Sequence, residues 1–368
     1  MTDKILYQIG LTMINGIGGT LARQLLNAFG DAESVFKEKK RSLERVPGIG
    51  TLLAEEIKRP EVLQRAEKEI AFMEKAHITP LLMEDRNYPK RLKDCPDAPL
   101  VLYYKGSADL NVRHILSIVG TRHATPYGQE SVDRLLEGLA SYYPDVLIVS
   151  GLAYGIDIKA HRSALACHFL TIGVLAHGLD RIYPSVHRQT AINMLEKGGL
   201  LTDFPSGTEP ERANFLKRNR IIAGLSDATI VIESARKGGS LVTADIAFSY
   251  NREVFAFPGR GNDLYSAGCN DLIRKNKAGL ITSADDLIDA LGWRNQAFQE
   301  PKQVELHFDD SPEVQQILTL LQEHKELHVN QLSKAMHIPL QQLSLILFDL
   351  EMNGRIKTLP GNMYALIL

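Results

Sequence analysis

Four cationic side chains crowd the segment ERANFLKRNRIIAGLS at 211–226. They are Arg212, Lys217, Arg218 and Arg220, and we call them the basic cluster. Like charges repel, so this crowding indicates an anionic partner, of which a phosphate backbone is the commonest. The whole chain of 368 residues has a formal net charge of −2 and a pI near 6.6, which argues against coating of nucleic acid by bulk charge. We therefore predict a local anion-binding patch.

Two loops elsewhere have residue types suited to anion binding. GTR (120–122) follows an apolar run and places Arg122 near a helix start, where the helix dipole also attracts anions. KGGS (237–240) precedes a predicted helix; its glycines leave backbone N–H groups free, and Ser240 either caps the helix or donates to a phosphate oxygen. We expect Arg122 to converge with the basic cluster; a surface ion pair is the alternative for each arginine.

Only some members of the basic cluster are expected to contact one ligand. If Arg220 begins a helix, Lys217 and Arg218 cannot both face the same way. Contacts to the backbone alone are insensitive to sequence and strongly dependent on salt. Tyr183 and Phe215 lie near predicted strand ends, and their rings are of the kind on which single-stranded bases stack.

Other common chemistries lack their residues in this sequence. The first buried strand is followed by GTRHATPYG, in which Arg122 stands where a dinucleotide-binding loop needs a small residue. No P-loop, nucleophile elbow or H-E-x-x-H motif occurs. His161 and His177 have no metal-ligand spacing, and we predict that they are packed or solvated. We therefore expect no cofactor, no metal and no catalytic residue.

Apolar strands that alternate with helical stretches identify the scaffold over residues 112–292. This pattern predicts a mostly parallel sheet with helices on both faces, which is a Rossmann-like, doubly wound α/β architecture. Such sheets bind ligands beyond the carboxyl ends of their strands, where the GTR and KGGS loops belong. The strands are predicted over 114–120, 146–151, 170–176, 199–204, 229–233 and 253–259.

Further segments flank this domain. Residues 1–75 contain two G-I-G hairpins and indicate a helical helix-hairpin-helix (SAM-like) domain, in which phosphate contact and simple packing stay equally open. Residues 76–111 are expected to form an extended connector that packs on the core, and residues 293–311 a linker. The pattern of residues 312–368 predicts a winged helix. It has four Lys or Arg against five Asp or Glu, which favours a protein-docking or structural role over duplex binding.

The cellular compartment is suggested by the cysteines and by the amino terminus. The three cysteines are widely separated, without a CxxC pair, which indicates reduced thiols. The first residues lack the features of a signal peptide, and no apolar run has the length needed to span a membrane. We predict a cytoplasmic protein with no membrane contact.

Seven motifs occur in the order of a known family. They are GTR…YG, SGLA-x-GID-x-x-AH, G-L-D-x-x-YP, FLKRNRIIAGLS, GGSL-x-TA, VFAFPG and S-x-G-x-N-x-LI. Over residues 88–284 the chain resembles the DNA-processing protein A family (DprA, also called Smf). The resemblance implies a non-enzymatic single-stranded DNA binder that dimerises through its Rossmann-like domain. It also implies that the protein protects incoming DNA in natural transformation, promotes RecA loading and displaces single-stranded-DNA-binding protein.

The family motifs and the loops around them define the predicted DNA-binding residues. These are Gly120, Thr121, Arg122, Ser150, Gly151, Arg212, Phe215, Lys217, Asn219, Arg220, Lys237, Gly238, Gly239 and Ser240. The chain departs from the family pattern at Tyr154, Ser185 and Gly238, which are expected at the rim of the pocket.

An enzyme and a protein scaffold without nucleic acid are the alternatives. Cytokinin-activating phosphoribohydrolases have a similar sheet and use a PGG-x-GT-x-x-E loop to act on nucleoside monophosphates. Here KGGSLVTAD places Asp245 near the position of that catalytic carboxylate. Leu241 and Val242 replace the Gly and Thr of the phosphate loop, so the sequence favours the DNA binder over a phosphoribohydrolase-like enzyme.

Overall fold

The computed structural model describes residues 2–295 and 311–367. Most of the predicted linker at 293–311 lies outside the described residues. Its start belongs to the core instead, because the Trp293 side chain is buried and its ring centroid lies 4.2 Å from that of His114. Within the two described ranges, none of the helices combines the length and the apolar character that crossing a bilayer requires.

Short helices form the N-terminal domain. They are α1 (Thr2–Thr12), α2 (Gly19–Phe29), α3 (Ala32–Lys37), α4 (Lys40–Leu43), α5 (Thr51–Ile57) and α6 (Pro60–Ala76). The two G-I-G segments are the turns before α2 and α5, and Gly16 and Gly48 have φ values of +92° and +85°, which favour glycine. The first hairpin packs on the rest of the molecule, since the Arg23 guanidinium donates to the carbonyls of Cys95 and Pro96.

The predicted connector contributes two strands to the central sheet. It contains β1 (Thr79–Leu82), α7 (Lys90–Lys93) and β2 (Val101–Gly106). β2 pairs antiparallel with β1 on one side and with β6 on the other. The connector is therefore part of the sheet, whereas the sequence predicted only a segment packed against it.

The sheet has nine strands in the described part of the chain. After the connector come β3 (Ile115–Val119), β4 (Leu147–Ser150), β5 (Thr171–Val174), β6 (Gly198–Thr202), β7 (Ala228–Val231), β8 (Glu253–Ala256) and β9 (Gly279–Leu280). The order across the sheet is β1-β2-β6-β5-β4-β3-β7-β8-β9, and β3 to β9 run parallel. The predicted doubly wound, mostly parallel architecture is confirmed.

Helices cover both faces of the parallel strands. They are α8 (Pro126–Tyr142), α9 (Ile156–Ala166), α10 (Arg188–Glu196), α11 (Arg212–Leu225), α12 (Gly239–Ser249), α13 (Ala267–Arg274) and α14 (Ala284–Ala290). One core contains buried side chains of α11, α12 and α13, and the other those of α8, α9 and α14. Strands buried on both faces explain the continuous apolar runs of the sequence.

The C-terminal domain is a winged helix, as predicted. It comprises α15 (Pro312–His324), β10 (Glu326–His328), α16 (Val329–Met336), α17 (Leu340–Met352), β11 (Ile356–Leu359) and β12 (Met363–Leu366). Polar contacts hold it against the end of α12 and the start of β8: Asn330 Nδ2 lies 3.2 Å from the Tyr250 carbonyl, and the Gly361 N–H donates to Glu253 at 2.9 Å. The His328 ring is buried at this contact, which lowers its pKa to about 4 and keeps it neutral.

Candidate nucleic-acid interface

The strand order changes direction at β3. β4, β5 and β6 lie on one side of β3, and β7, β8 and β9 lie on the other. At such a point neighbouring loops diverge and open a crevice beyond the carboxyl ends of the strands. The GTR loop after β3, the first turns of α11 and the KGGS turn before α12 line a cavity of about 670 Å³ in this crevice. We call it the strand-end pocket.

An aromatic ring lies close to two guanidinium groups in the strand-end pocket. The Cζ atoms of Arg122 and Arg218 are 5.0 and 5.8 Å from the centroid of the Phe215 ring, within cation–π range. The ring of Tyr183 lies 6.1 Å from that of Phe215 and is half exposed. Two arginines from distant parts of the chain thus meet around one aromatic side chain.

Arg218 forms the floor of the strand-end pocket. Its side chain is 4% exposed, and its guanidinium donates to the Val174 carbonyl. Burial lowers the pKa of Arg218 to about 10, although the nearby Asp157 carboxylate opposes the shift, so Arg218 remains charged at neutral pH. Burial raises the pKa of Asp157, and Arg218 opposes that shift. The Arg218 guanidinium also donates to Asn219 Oδ1 at 3.3 Å. Because Arg218 lines the pocket as a charged group, it can also attract an anion there.

A glycine allows this buried pair to form. A side chain at Gly151 would collide with both the Asp157 carboxylate and the Arg218 guanidinium. Its neighbour Ser150 is also buried, and its hydroxyl donates to the Ile118 carbonyl at 2.6 Å. Neither residue lines the strand-end pocket, although both were predicted to bind DNA. Their role in the structure is to support the floor.

The KGGS turn contributes one cation and a solvent-exposed stretch of backbone to the wall of the pocket. Lys237 is exposed, Gly238 is the N-cap of α12, and nothing lies near the position of a Cβ on Gly239. Asn219 Nδ2 lies 3.5 Å from the Gly239 carbonyl and so joins α11 to this turn. The prediction that Ser240 caps the helix is wrong, because Gly238 is the N-cap and the buried Ser240 hydroxyl donates to Ser234 Oγ at 2.9 Å. Contact of Ser240 with a phosphate stays a prediction.

The lining of the strand-end pocket is strongly cationic. Four of its residues are cations, Arg122, Arg212, Arg218 and Lys237, whereas Asp157 is the one carboxylate that lines it among the described residues. Arg212 is the first residue of α11, where the helix dipole disfavours a cation. A bound anion would offset both the crowding of like charges and this unfavourable position.

The structure brings most of the predicted residues together. Those that line the strand-end pocket are Gly120, Thr121, Arg122, Arg212, Phe215, Asn219, Lys237, Gly238, Gly239 and Ser240. The pocket also includes two charged residues absent from the predicted set, Arg218 and Asp157. The spacing Phe215, Arg218, Asn219 is that of one helix face, and this periodicity would have selected Arg218 from the sequence.

Two members of the basic cluster lie outside the strand-end pocket. Lys217 is exposed and does not line it. The Arg220 guanidinium pairs with the Asp203 carboxylate and donates to the Asp97 carbonyl, so the predicted convergence of Arg122 with Arg220 is wrong. Residues two apart on an α-helix point about 200° away from each other, which sends Arg218 and Arg220 to different surroundings.

His161, His177 and Asp245 make contacts within the fold. The His161 ring is fully buried with Nδ1 2.7 Å from Thr171 Oγ1, and burial lowers its pKa to about 4. His177 is also buried and lies 2.8 Å from the Gly178 carbonyl. Asp245 lies outside the strand-end pocket and pairs with Lys277 at 2.7 Å. The described ranges contain no group of three acidic, histidine or cysteine side chains arranged to hold a metal ion.

Comparisons with known proteins assign the chain to a family. The family model for DNA recombination-mediator protein A matches residues 79–292, from β1 to the end of the doubly wound sheet domain. This chain belongs to the DNA recombination-mediator protein A family. A second model, the DprA winged helix domain, matches residues 301–362. The resemblance to DprA and Smf proteins is thereby confirmed. Members of this family are named for DNA processing.

Individual relatives agree with this assignment. Protein Smf from Synechocystis sp. is 36% identical over 297 residues, which cover 78% of this chain and 72% of that protein. The crystal structure of DNA processing protein A from Streptococcus pneumoniae matches with a TM-score of 0.63 and 30% identity, covering 78% of this chain and 98% of that one. DNA processing protein A from Helicobacter pylori, a single-stranded DNA binder, matches with a TM-score of 0.53 and 32% identity, covering 59% and 96%.

We predict that Arg220 supports the fold. Burial alone would lower the pKa of Arg220, but the Asp203 and Asp97 carboxylates more than offset this and raise it. Arg220→Ala would leave Asp203, whose side chain is only 11% exposed, without its cation and is expected to lower the free energy of unfolding by about 3 kcal/mol, measured by urea denaturation. Lys217→Ala, at an exposed position of the same helix, is the control and should change it by less than about 0.5 kcal/mol. Equal stability of the two variants would refute a structural role for Arg220.

Proposed function

We propose that this protein binds single-stranded DNA without sequence specificity in the strand-end pocket. The observation that carries the proposal is the placement of Phe215 within reach of the Arg122 and Arg218 guanidinium groups, in a cavity lined by four cations and one carboxylate. Guanidinium and ammonium groups bind phosphates, and an aromatic face stacks a base of any identity.

Two features of the pocket favour a single strand over a duplex. The partly buried ring of Phe215 and the half-exposed ring of Tyr183 offer stacking surfaces, which paired and stacked bases of a duplex cannot use. The cations lie on two loops and on α11 around a crevice, and they converge on its interior, whereas a helix that reads a duplex projects its donors into a groove. Phosphate contacts without contacts to base edges carry no sequence information. The Helicobacter pylori relative binds single-stranded DNA, which supports the same ligand for this chain.

The geometry favours a binding protein over an enzyme. A phosphoribohydrolase needs a carboxylate that reaches the sugar of a nucleotide bound at the phosphate loop. Asp245 instead lies outside the strand-end pocket, about half exposed and paired with Lys277. Asp157, which does line the pocket, lies beside the Arg218 guanidinium. We therefore propose binding and protection of the strand, with no chemical step.

The winged helix is proposed to contact protein, or to serve the structure, and not to bind duplex DNA. Its α17 exposes Leu345, Phe348 and Met352, with 69%, 60% and 72% of their surface accessible. These residues share one helix face, where a duplex-reading helix would carry hydrogen-bond donors. An apolar face of this kind matches a protein surface better than a phosphate backbone.

The proposed cellular role is the handling of incoming DNA in natural transformation. In this role the protein would load RecA and displace single-stranded-DNA-binding protein. A recombination mediator hands DNA to a recombinase, and the family description supports this part of the proposal.

We also propose a homodimer through the Rossmann-like domain. Phe248 on α12 and Leu280 on the edge strand β9 each have 54% of their surface accessible and suit such a contact. The free thiols agree with action in the reducing cytoplasm.

Variants of the strand-end pocket test the ligand. Arg122→Ala and Phe215→Ala should each weaken oligo-dT binding by about 1–3 kcal/mol, because each removes a charged contact or a stacking surface. The measurement is fluorescence anisotropy over a salt titration, with single- and double-stranded oligonucleotides compared. Arg134→Ala is the control, since Arg134 is 74% exposed on α8 and pairs with Glu130. Unchanged affinity in both pocket variants, or equal affinity for duplex, would refute the proposal.

A truncation tests the role of the winged helix. A chain that ends at Asn295 retains Trp293 in the core and should bind oligo-dT within about twofold of the full chain, because the pocket is formed without the winged helix. Ending at Ala290 would remove Trp293 and is expected to destabilise the domain. Loss of binding by the folded Asn295 truncation would mean that the winged helix takes part in DNA binding.

The recombinase and dimer parts of the proposal are tested separately. Sedimentation velocity should show a dimer for the wild type and a monomer for Phe248→Glu combined with Leu280→Glu, because buried charges oppose association. Added protein should shorten the lag of RecA filament growth on single-stranded DNA covered with single-stranded-DNA-binding protein. A monomeric wild type would refute the proposed dimer, and an unchanged lag would refute the proposed loading of RecA. Neither result would bear on the strand-end pocket.

A further inference from the structure

A second cationic cavity adjoins the strand-end pocket. It has a volume of about 330 Å³ and lies between the N-terminal turn of α12 and the helix α13. Its lining includes four cations, Arg236, Lys237, Lys275 and Lys277. We call it the α12–α13 cleft. The strand-end pocket itself does not include Arg236, Lys275 or Lys277.

The two cavities are continuous. Lys237, Gly238 and Val242 line both of them, so the KGGS turn is a shared rim. A strand stacked on Phe215 has to leave the strand-end pocket over part of its rim. At Lys237 and Gly238 it would meet a cation and exposed backbone and would pass directly into the cleft.

The charges of the cleft are only partly compensated. Its two carboxylates, Asp245 and Asp271, are already paired: Lys277 lies 2.7 Å from Asp245, and Arg274, which is outside the lining, lies 3.0 Å from Asp271. In the ranges that the structure covers, Arg236, Lys237 and Lys275 have no ion-pair partner. Arg236 and Lys275 help to lower the pKa of Asp271, but this carboxylate is already paired with Arg274, so the three exposed cations are only partly compensated.

The helices alone do not account for this arrangement. Lys275 is the C-cap of α13, where the helix dipole favours a cation. Arg236 and Lys237 stand immediately before α12, where the dipole disfavours cations and favours anions. A bound phosphate would relieve this unfavourable placement and the mutual repulsion in the cleft.

We propose that the α12–α13 cleft is a second backbone-binding subsite for the same single strand. Phosphates beyond the nucleotides held on Phe215 bind Arg236 and Lys275, and Lys237 lies between the two sites. The inference rests on the proposed function of the strand-end pocket and extends it: a short oligonucleotide occupies the pocket alone, and a longer one occupies both cavities.

The test compares strand lengths in a variant of the cleft. Arg236→Gln combined with Lys275→Gln leaves the shared Lys237 and the paired Lys277 in place. For oligo-dT of about 20 nucleotides, losing two phosphate contacts should lower the salt slope of log K by about 1.4 and weaken binding roughly 25-fold near 0.1 M salt. For oligo-dT of about 6 nucleotides, which fits within one site, affinity should stay within about twofold of wild type.

Matched variants separate this effect from overall charge and from folding. Arg134→Gln combined with Lys197→Gln removes the same amount of positive charge. Arg134 lies on α8, and Lys197 is the C-cap of α10, before the amino end of β6. This control should bind oligo-dT of both lengths as the wild type does. The single variant Arg236→Gln, which leaves the C-cap of α13 intact, should lower the slope for the long strand by about 0.7. Thermal unfolding should be unchanged for every variant.

Three results would overturn the inference. Equal losses for short and long strands would show that the cleft residues act on the strand-end pocket. The same loss in the matched control would indicate a general effect of charge. Unchanged affinity and slope for the long strand would exclude DNA from the cleft and leave an acidic protein surface as its partner. A wild type that binds neither length would refute the proposed function as well.

Discussion

The period of one helix, α11, decides which cations line the strand-end pocket and which hold the fold together. Residues Arg218 and Arg220 lie two apart on α11, so their side chains point about 200° away from each other. Arg218 enters the strand-end crevice, and Arg220 pairs with Asp203 beside the connector. The same helix therefore places one cation in the strand-end pocket and uses another to hold the segment that links the N-terminal domain to the sheet.

The buried guanidinium of Arg218 defines the chemistry of the crevice. Removing a cation from water is costly, and here the Val174 carbonyl and the nearby Asp157 carboxylate compensate it only in part, so the pKa of Arg218 is lowered to about 10. The exposed Arg122, across the Phe215 ring, adds to the positive field. A phosphate would lower the electrostatic energy of the whole group. Gly151 keeps the floor compact enough for this charge to be buried beneath the aromatic ring.

Segment 95–98 of the connector joins three parts of the structure. Arg23 of α2 donates to the Cys95 and Pro96 carbonyls, Arg220 donates to the Asp97 carbonyl, and the Tyr250 hydroxyl donates to the Asp97 carboxylate. A basic residue of the first G-I-G hairpin thus serves packing, whereas phosphate contact by the hairpin backbones stays a prediction. The winged helix is likewise held by polar contacts to residues around Tyr250.

Strands β3 to β8, the alternation of strands with helices, the winged helix and the family could all be predicted from the sequence, because apolar periodicity and ordered motifs are local properties of the chain. It also determined most of the strand-end pocket, since loops after parallel strands share one edge of a sheet. Tertiary structure decided which cations enter the pocket, that Ser240 turns inward to Ser234, and that the connector supplies β1 and β2. Those outcomes depend on which buried carboxylate or carbonyl lies opposite each side chain. Such partners are distant in sequence, as Asp203 is from Arg220, and only the packed chain brings them within bonding distance.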